Sequence, residues 1–523
     1  LDPTTLLEIL GALGYSWMRM TIALLLSIIF SIFVGMMAAT SRLLEKIIIP
    51  TLDVLQSIPI LGFFPIALYA FIMLHPVIGP ELAAIFLIFT SQVWNIAFGV
   101  YEAVKAVPVE VLEASRVLRL KFTDRLRHIY LPASFPKIAV NLPPSWANGL
   151  YFLVACEFIT IGEREYRLFG IGTITTEFLT SGRILEAVSA LASVVVAVVF
   201  MNIFFFIPLI RVSERFKFEV YATEVPHAWF EKLAKPISLP IRVTLHRPIF
   251  SEHWKLSGKL TSLKEALVKH EKTIKKLFIV LLVVFAVYLS ISPAFIEFTK
   301  ILIYGFLELG LELPLTSIGY SLVRVFTALF ITLLWTIPVA IVVYEKEVVE
   351  KVLVPIFQVV SSFPSTLLIP FIADFVTRVG LAREFGALLM VLLGTQWYMF
   401  FFIRGALATI PREEEELFKL LRIRGFRKFL NLYFPRLLPS MIIGCIVTVG
   451  GAWNTLVVAE RSLLDSFTWE VEYPGIGKLL SIVTEGGDLS KMIAVTIWMA
   501  IVVVILNRFI WRKLHKHFVE KIS

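Results

Sequence analysis

The chain has 523 residues, of which 58% are hydrophobic and 17% charged, and its 49 Lys and Arg against 40 Asp and Glu give a formal net charge of +9. That composition excludes an ordinary soluble globular domain and identifies a polytopic membrane protein. Its two cysteines, Cys156 and Cys445, lie in apolar runs, which excludes a disulfide framework or a cysteine-based metal site.

Apolar runs recur at 17–40, 58–74, 82–100, 138–156, 187–210, 277–296, 318–343, 366–377 with its flanks, 386–403, 438–459 and 491–511. Most approach the ~20 residues that cross a bilayer as a helix, about eleven spans in all. The expected fold is therefore all-α, a polytopic transmembrane helical bundle. The chain starts at Leu1 without a charged n-region, so a further N-terminal span is expected, making about twelve in a full chain.

Polar residues within apolar runs are the default markers of a pathway. Gln56 and Ser57 come just before Pro59, and Ser361 and Ser362 just before Pro364. Gln92, Trp94 and Asn95 form a second group with Gln396 and Trp397. Interhelical hydrogen bonding and interfacial Trp anchoring are the plainer readings of the same residues. Arg19 and Arg324 near span ends are expected to snorkel. Glu157 and Glu460 close their spans, where a carboxylate could simply be solvated; their matching contexts favour a gate or a docking role.

Residues 113–132, EASRVLRLKFTDRLRHIYLP, break the apolar pattern. Read as one helix, 113–130 puts Ala114, Val117, Leu118, Phe122, Leu126, Ile129 and Tyr130 on one side, with Arg116, Arg119, Asp124, Arg127 and His128 mostly opposite. Pro132 is expected to stop this helix ahead of the next span. A lipid-surface helix and a simple positive-inside loop are the bland alternatives.

The chain repeats itself. A shift of 305 residues superposes Arg19 on Arg324, Pro50 on Pro355, Ser57 on Ser362, Pro59 on Pro364, Pro65 on Pro370 and GIG 170–172 on GIG 475–477. A shift of 303 superposes Pro108 on Pro411, Glu113 on Glu416, Pro132 on Pro435 and Glu157 on Glu460. The domains read as a first repeat (1–210), a basic linker (211–276) and a second repeat (277–523), parallel and related by a pseudo-twofold axis. Lys and Arg clustered around 116–137 and 412–436 place both loops in the cytoplasm, and the basic linker suits an anionic inner leaflet.

The EAS…IYLP pattern at Glu113, Ala114, Ser115, Ile129, Leu131 and Pro132 resembles the EAA loop of ABC importer permeases. In that family the loop forms a coupling helix held by a cytoplasmic ATPase. Arg119 stands at the family's usual glycine position, and the second copy keeps Glu416 and Pro435 with Arg422 and Gly425 between them. LQSIPILGFFP, GLYFLVACE, GAWNTLVVAE and the GIG turns resemble the nitrate/sulfonate/taurine/bicarbonate subfamily.

The resemblance implies a permease subunit, not an enzyme, in the cell membrane with its EAA loops cytoplasmic, importing a small anion or small polar organic solute by alternating access. It implies as partners two cytoplasmic ABC ATPase subunits, which carry ATP and Mg, and an extracellular or periplasmic substrate-binding protein. Membrane lipid surrounds the bundle, and no nucleic acid is expected. It also implies coupling roles for the loop residues, while the matching contexts in the two repeats favour a gate or binding-protein docking role for Glu157 and Glu460 with Gly170, Gly172, Gly475 and Gly477 of the turns that follow. No GxxxxGK[ST] phosphate loop and no HExxH spacing occurs, so no cofactor or metal is expected in this chain. The competing readings are an ion-gradient-driven secondary transporter with two six-span halves and a membrane scaffold.

Overall fold

The computed structural model describes residues 2–514 apart from 119, 162–163, 217–292, 362, 364, 465–466 and 512. The first repeat opens with α1 (Pro3–Thr40), α2 (Arg42–Ser57), α3 (Ile60–Leu74) and α4 (Gly79–Lys105). Ser41 caps α2 by accepting the Leu44 N–H at 3.5 Å. Pro59 forces Ile58 into an extended conformation (φ −74°, ψ 128°), which ends α2 and starts α3. Then follow α5 (Val109–Val117), α6 (Phe122–Arg125), α7 (Leu131–Glu157), the antiparallel hairpin β1 (Phe158–Ile161) and β2 (Arg164–Arg167), α8 (Ile171–Thr180), α9 (Ile184–Met201) and α10 (Ile207–Ser213).

The second repeat restates this order after an extra helix, α11 (Pro293–Leu309). Its elements are α12 (Glu312–Glu345), α13 (Glu347–Ser361), a 3-10 turn at Ser365–Leu368, α14 (Ile369–Val379), α15 (Arg383–Leu407), α16 (Arg412–Leu420) and α17 (Gly425–Lys428). The chain then continues through α18 (Phe434–Glu460), the hairpin β3 (Arg461–Leu464) and β4 (Phe467–Glu470), α19 (Ile476–Glu485) and α20 (Leu489–Ile505).

Seven helices among the described residues are long and apolar enough to cross a membrane, fewer than the eleven runs counted in the sequence. The run at 58–74 is cut by Pro59 to the 15-residue α3, and that at 366–377 is divided between a 3-10 turn and α14. The run at 138–156 lies inside α7, where Asn141, Pro143, Pro144 and Asn148 dilute it. Residues 277–292 of the linker-proximal run lie outside the described residues.

The single basic helix expected over 113–130 is two pieces. Helix α5 stops at Val117, and the Asp124 carboxylate accepts the Lys121 backbone N–H at 3.2 Å, which starts α6 afresh. Val117 and Leu118 are therefore exposed rather than part of an inward face. Pro132 does not end a helix either. A π turn at Leu126–Tyr130, closed by the Leu131 N–H on the Leu126 carbonyl, leads directly into α7. A proline cannot donate to the α ladder, and one wide turn absorbs that loss. The second repeat does the same at Phe429–Tyr433.

Each repeat has its own core, built where α1 and α7 flank α4 and where α12 and α18 flank α15. Gly35 lets α1 approach α4 closely, since a Cβ there would lie 2.9 Å from the Ala97 carbonyl oxygen. Leu25, Ile29 and Phe33 form an exposed apolar row on α1, matched by Phe330 and Leu334 on α12, as a lipid-facing surface requires. The cores interlock: Leu367, from the second repeat's 3-10 turn, is buried in the core of the first.

At the start of α20, Asp488 accepts the Lys491 N–H at 3.1 Å and the Ser490 hydroxyl at 2.6 Å, and pairs with the Lys491 ammonium at 3.0 Å. Partial burial opposes its charge, but these donors outweigh it and hold the carboxyl at about 2. A depressed carboxyl stabilises the fold above its unfolded value of about 3.9, and the contribution is lost as pH falls towards the folded value. Asp488→Ala should cost about 1 kcal/mol at neutral pH as a lost cap. The difference from wild type should narrow between pH ~4 and pH ~2, as read by thermal unfolding in detergent.

Candidate functional site

The two long helices that end in glutamate, α7 and α18, carry the most elaborate chemistry among the described residues. Arg19 on α1 is fully buried and does not snorkel. Its Nε and Nη2 donate to both oxygens of Glu81 at 2.7 Å, Nη1 donates to Glu157 Oε1 at 3.0 Å, and Nη2 also reaches the Phe169 carbonyl at 3.0 Å. Ser16 donates to the same Glu157 oxygen at 2.5 Å and accepts the Ile171 N–H at 3.0 Å. The second Glu157 oxygen accepts the Gly172 N–H at 2.7 Å. Glu157 is thus the anion at the N-terminus of α8, where free backbone N–H groups and the helix dipole both favour negative charge.

The second repeat rebuilds this cluster group by group. Arg324 holds Glu384 at 2.7 and 2.8 Å and Glu460 at 2.8 Å. Ser321 donates to Glu460 at 2.6 Å, and Glu460 accepts the Gly477 N–H at 2.8 Å at the start of α19. The glycines of both GIG turns are explained by space. A Cβ at Gly170 or Gly475 would overlap the glutamate carboxylate, one at Gly172 would lie 2.9 Å from Val154 Cγ1, and one at Gly477 would lie 2.6 Å from the Leu456 carbonyl oxygen. Gly170 itself is extended (φ −173°), so its conformation would suit any residue.

Glu157 and Glu460, read from sequence as gate or docking carboxylates, are therefore internal, with no exposed side-chain surface. Their burial excludes the simple solvated reading, because each sits in a paired, hydrogen-bonded cluster. Sequence reading found Arg19, Arg324 and the GIG turns but missed Ser16, Ser321, Glu81 and Glu384. Ser16 and Ser321 align at 305 and Glu81 and Glu384 at 303, so the repeat carried the signal.

The pathway candidates scatter. Gln92 is fully buried; its Nε2 faces Met20 Sδ at 4.0 Å, while Oε1 meets no partner. The Trp94 indole N–H is likewise buried without a partner. Asn95 and Gln56 are exposed, and Ser361 and Gln396 half-buried. Trp397 packs in an aromatic group with Trp335 and Phe357 at 6.1 and 5.3 Å. Gln92 and Gln396 do not correspond, because the 303 shift sets Gln92 against Thr395. Ser57 closes α2, its side chain undescribed, and Ser362 lies outside the described residues.

The two repeats meet along a seam of hydrogen bonds that sequence reading did not find. Asn454 Oδ1 accepts the Ile60 N–H at 2.6 Å, Tyr151 donates to Thr455 at 2.5 Å, and Thr366 donates to the Tyr151 carbonyl at 2.8 Å. Tyr398 donates to Asn148 at 3.1 Å, and Thr496 donates to the Gly62 carbonyl at 2.7 Å. Tyr151 and Asn454 occupy equivalent positions at the 303 shift, each reaching the segment after the other repeat's Pro59 or Pro364.

At the opposite ends of the spans lie the coupling candidates. Glu113 and Ala114 are exposed, whereas Ser115 is buried and donates to the Leu112 carbonyl at 2.7 Å. Ile129 is buried, and Leu131 and Pro132 are half-buried at the start of α7. Glu416, Arg422, Gly425 and Pro435 are exposed. Arg119 lies outside the described residues, but its equivalent Arg422 adopts φ +54°, the left-handed region in which glycine is least strained. Nearby, Lys105 and Tyr101 hold Glu45 below the usual carboxylate range. Glu350, at the equivalent place, is bound by Arg404 at 2.7 Å.

A tandem helical membrane bundle, clamped at one end and with short exposed helices at the other, defines a membrane transport component. The profile of the family described as "Binding-protein-dependent transport system inner membrane component" matches residues 31–217 and again 332–512, and the chain belongs to that family. Among curated proteins it is similar to the nitrate import permease protein NrtB of Leptolyngbya laminosa, 30% identical over 34% of this chain and 59% of the relative. It is similar also to the bicarbonate transport system permease protein CmpB of Synechococcus elongatus, 32% identical over 28% of this chain and 48% of the relative. The putative aliphatic sulfonates transport permease protein SsuC of Bacillus subtilis is 24% identical over 29% and 53%. The chain spans about half the length of the curated relatives it matches.

Gly170→Ala should drive a methyl group into the Glu157 carboxylate and sharply reduce the yield of folded, monodisperse protein. Gly319→Ala on α12, where a Cβ would meet nothing within 4 Å, should behave as wild type. Size-exclusion chromatography after membrane extraction distinguishes the two, and equal behaviour would contradict the cluster's packing role.

Proposed function

We propose that this chain supplies both permease repeats of the transmembrane unit of an ATP-driven ABC importer, in one polypeptide, and moves a small anion such as nitrate, bicarbonate or a sulfonate inward by alternating access. Two ABC ATPase subunits on the cytoplasmic side carry ATP and Mg, and an external substrate-binding protein delivers the solute. The names of the relatives support the substrate class.

One observation carries the ATPase assignment. Val117 and Leu118 at the end of α5 are 81% and 70% exposed, and their equivalents Leu420 and Leu421 at the end of α16 are 81% and 60% exposed. Paired apolar tips beside basic residues, offset from the spans, suit burial in a protein cleft better than solvation. The preceding Glu113 and Glu416 face solvent on the same short helices. From each tip the chain runs through a second short helix, α6 or α17, and a π turn into the helix that ends in the buried glutamate.

Leu118→Glu and Leu421→Glu should each weaken ATPase co-purification and lower ATP-dependent uptake at least about tenfold, the effect of some 1.4 kcal/mol at an interface. Thermal unfolding of the isolated permease should not change, because both side chains are solvated already. Uptake that survives both changes, or that collapses with an ionophore while ATP is present, would overturn the ATPase-driven reading.

A further inference from the structure

Resting on that reading, we infer that the two tips are unequal docking surfaces for the ATPase subunits. The second repeat's tip, α16 with α17, is held in its docking shape before the partner arrives and binds the tighter. The first repeat's tip, α5 with α6, is shaped on contact and binds the weaker.

The second tip is tied to two spanning helices. Glu414 on α16 pairs with Arg436 on α18. Glu345 at the end of α12 accepts from Lys428 Nζ at 2.8 Å and from the Tyr433 hydroxyl at 2.7 Å, and the same Nζ lies 4.6 Å from the centre of the Tyr433 ring. One carboxylate, one ammonium and one phenol therefore form a network, which outlasts solvent screening better than an isolated surface pair. Among the described residues the first tip lacks these ties. Val111 and Ala133 stand in place of Glu414 and Arg436, and Thr40 in place of Glu345. Arg125, equivalent to Lys428, donates to the Leu120 carbonyl at 3.1 Å within its own loop, and Thr40 donates to the Met36 carbonyl of its own helix at 2.7 Å.

The surfaces differ as well. Leu417 and Phe426 are exposed beside Leu420 and Leu421, whereas the first repeat has Ala114 and Thr123 at those two places. The Phe426 ring stacks on Phe429 at 6.0 Å, and Phe429 meets Phe434 at the start of α18 at 5.9 Å, so the exposed ring is propped from behind. Aromatic side chains seated in a partner's pocket carry much of an interface's affinity. A surface already in its bound shape also loses less conformational freedom on binding. Both effects favour the second tip.

The surface fits an ATPase cleft with an apolar floor wide enough for a phenyl ring. Lys419, Arg422 and Arg424 are exposed at one end of this apolar group, and Glu413 and Glu416 at the start of the same helix. A protein rim can match both signs at once. An anionic bilayer would attract the first set and repel the second.

The test uses the full chain with Cys156→Ala and Cys445→Ala, in nanodiscs of neutral lipid, and the ATPase subunits isolated with the wild-type complex. Val117→Cys and Leu420→Cys, equivalent and equally exposed, report the two tips separately through labelling by a membrane-impermeant maleimide as ATPase is titrated in without nucleotide. Position 420 should be protected at an ATPase concentration about tenfold lower than position 117. Glu345→Thr writes the first repeat's residue into the second and leaves α16 and α17 unchanged. It should raise the concentration needed at 420 by about tenfold. Thr40→Glu offers Arg125 and Tyr130 the partner that Lys428 and Tyr433 have, and should lower the concentration needed at 117. Protection of both positions together, or of 117 first, overturns the inference and leaves the ATPase-driven reading standing. Titrations that neither Glu345→Thr nor Thr40→Glu moves overturn the part assigned to the ties. Protection at 420 by anionic nanodiscs with no ATPase present assigns the surface to lipid and overturns the inference too. If ATPase protects neither position, the proposed function falls with it.

Discussion

Hydrocarbon cannot solvate a bare charge, and the architecture of both repeats follows from how Arg19 and Arg324 are neutralised. Each guanidinium joins three separate pieces of chain: its own span, the start of the next long helix through Glu81 or Glu384, and the end of a third through Glu157 or Glu460. Glu157 and Glu460 also bind the first N–H groups of α8 and α19, so these short helices and the hairpins before them are fixed at the same point. Loss of one partner from a buried pair leaves an uncompensated charge, at a cost of about 3–5 kcal/mol. The clamps therefore hold one end of each repeat rigid, while the other end presents short helices that few internal bonds restrain.

The repeats share a frame but not a chemistry. At the end that carries the short helices, Glu345 binds Lys428 at 2.8 Å and Tyr433 at 2.7 Å, where the first repeat has Thr40. On the clamped side, Arg461 pairs with Glu470 and Glu485 at 3.1 and 2.6 Å, where the first repeat has Phe158. A permease made of two identical subunits must present the same surface twice. Fusion into one chain removes that restriction, and these ion pairs mark where the halves have diverged.

Much of this was legible in the sequence. The apolar periodicity and the 303 and 305 shifts revealed a helical bundle and its duplication, because burial in lipid leaves a strong, uninterrupted signal. The basic stretch at 113–132 was located but misread as one helix. Asp124 reaching back to the Lys121 N–H is a cap that competes with amphipathic periodicity, and the periodicity alone gave no sign of it. Proline read as a stop was a second error of the same kind, since a π turn carries the helix through Pro132. The seam was invisible for another reason: Tyr151, Asn148, Tyr398 and Asn454 look like ordinary polar punctuation until the two halves are folded together.

The central claim is that the buried arginine and glutamate of each repeat act as one unit, and a double-mutant cycle on the second repeat tests it most directly. Thermal unfolding would be measured for wild type, Arg324→Met, Glu460→Gln and the double variant under one set of detergent conditions. Each single change should be strongly destabilising, and the double variant should lose much less than their sum, with a coupling of about 2 kcal/mol or more. Additive losses would contradict the account, because they would mean that the two side chains contribute to the fold independently.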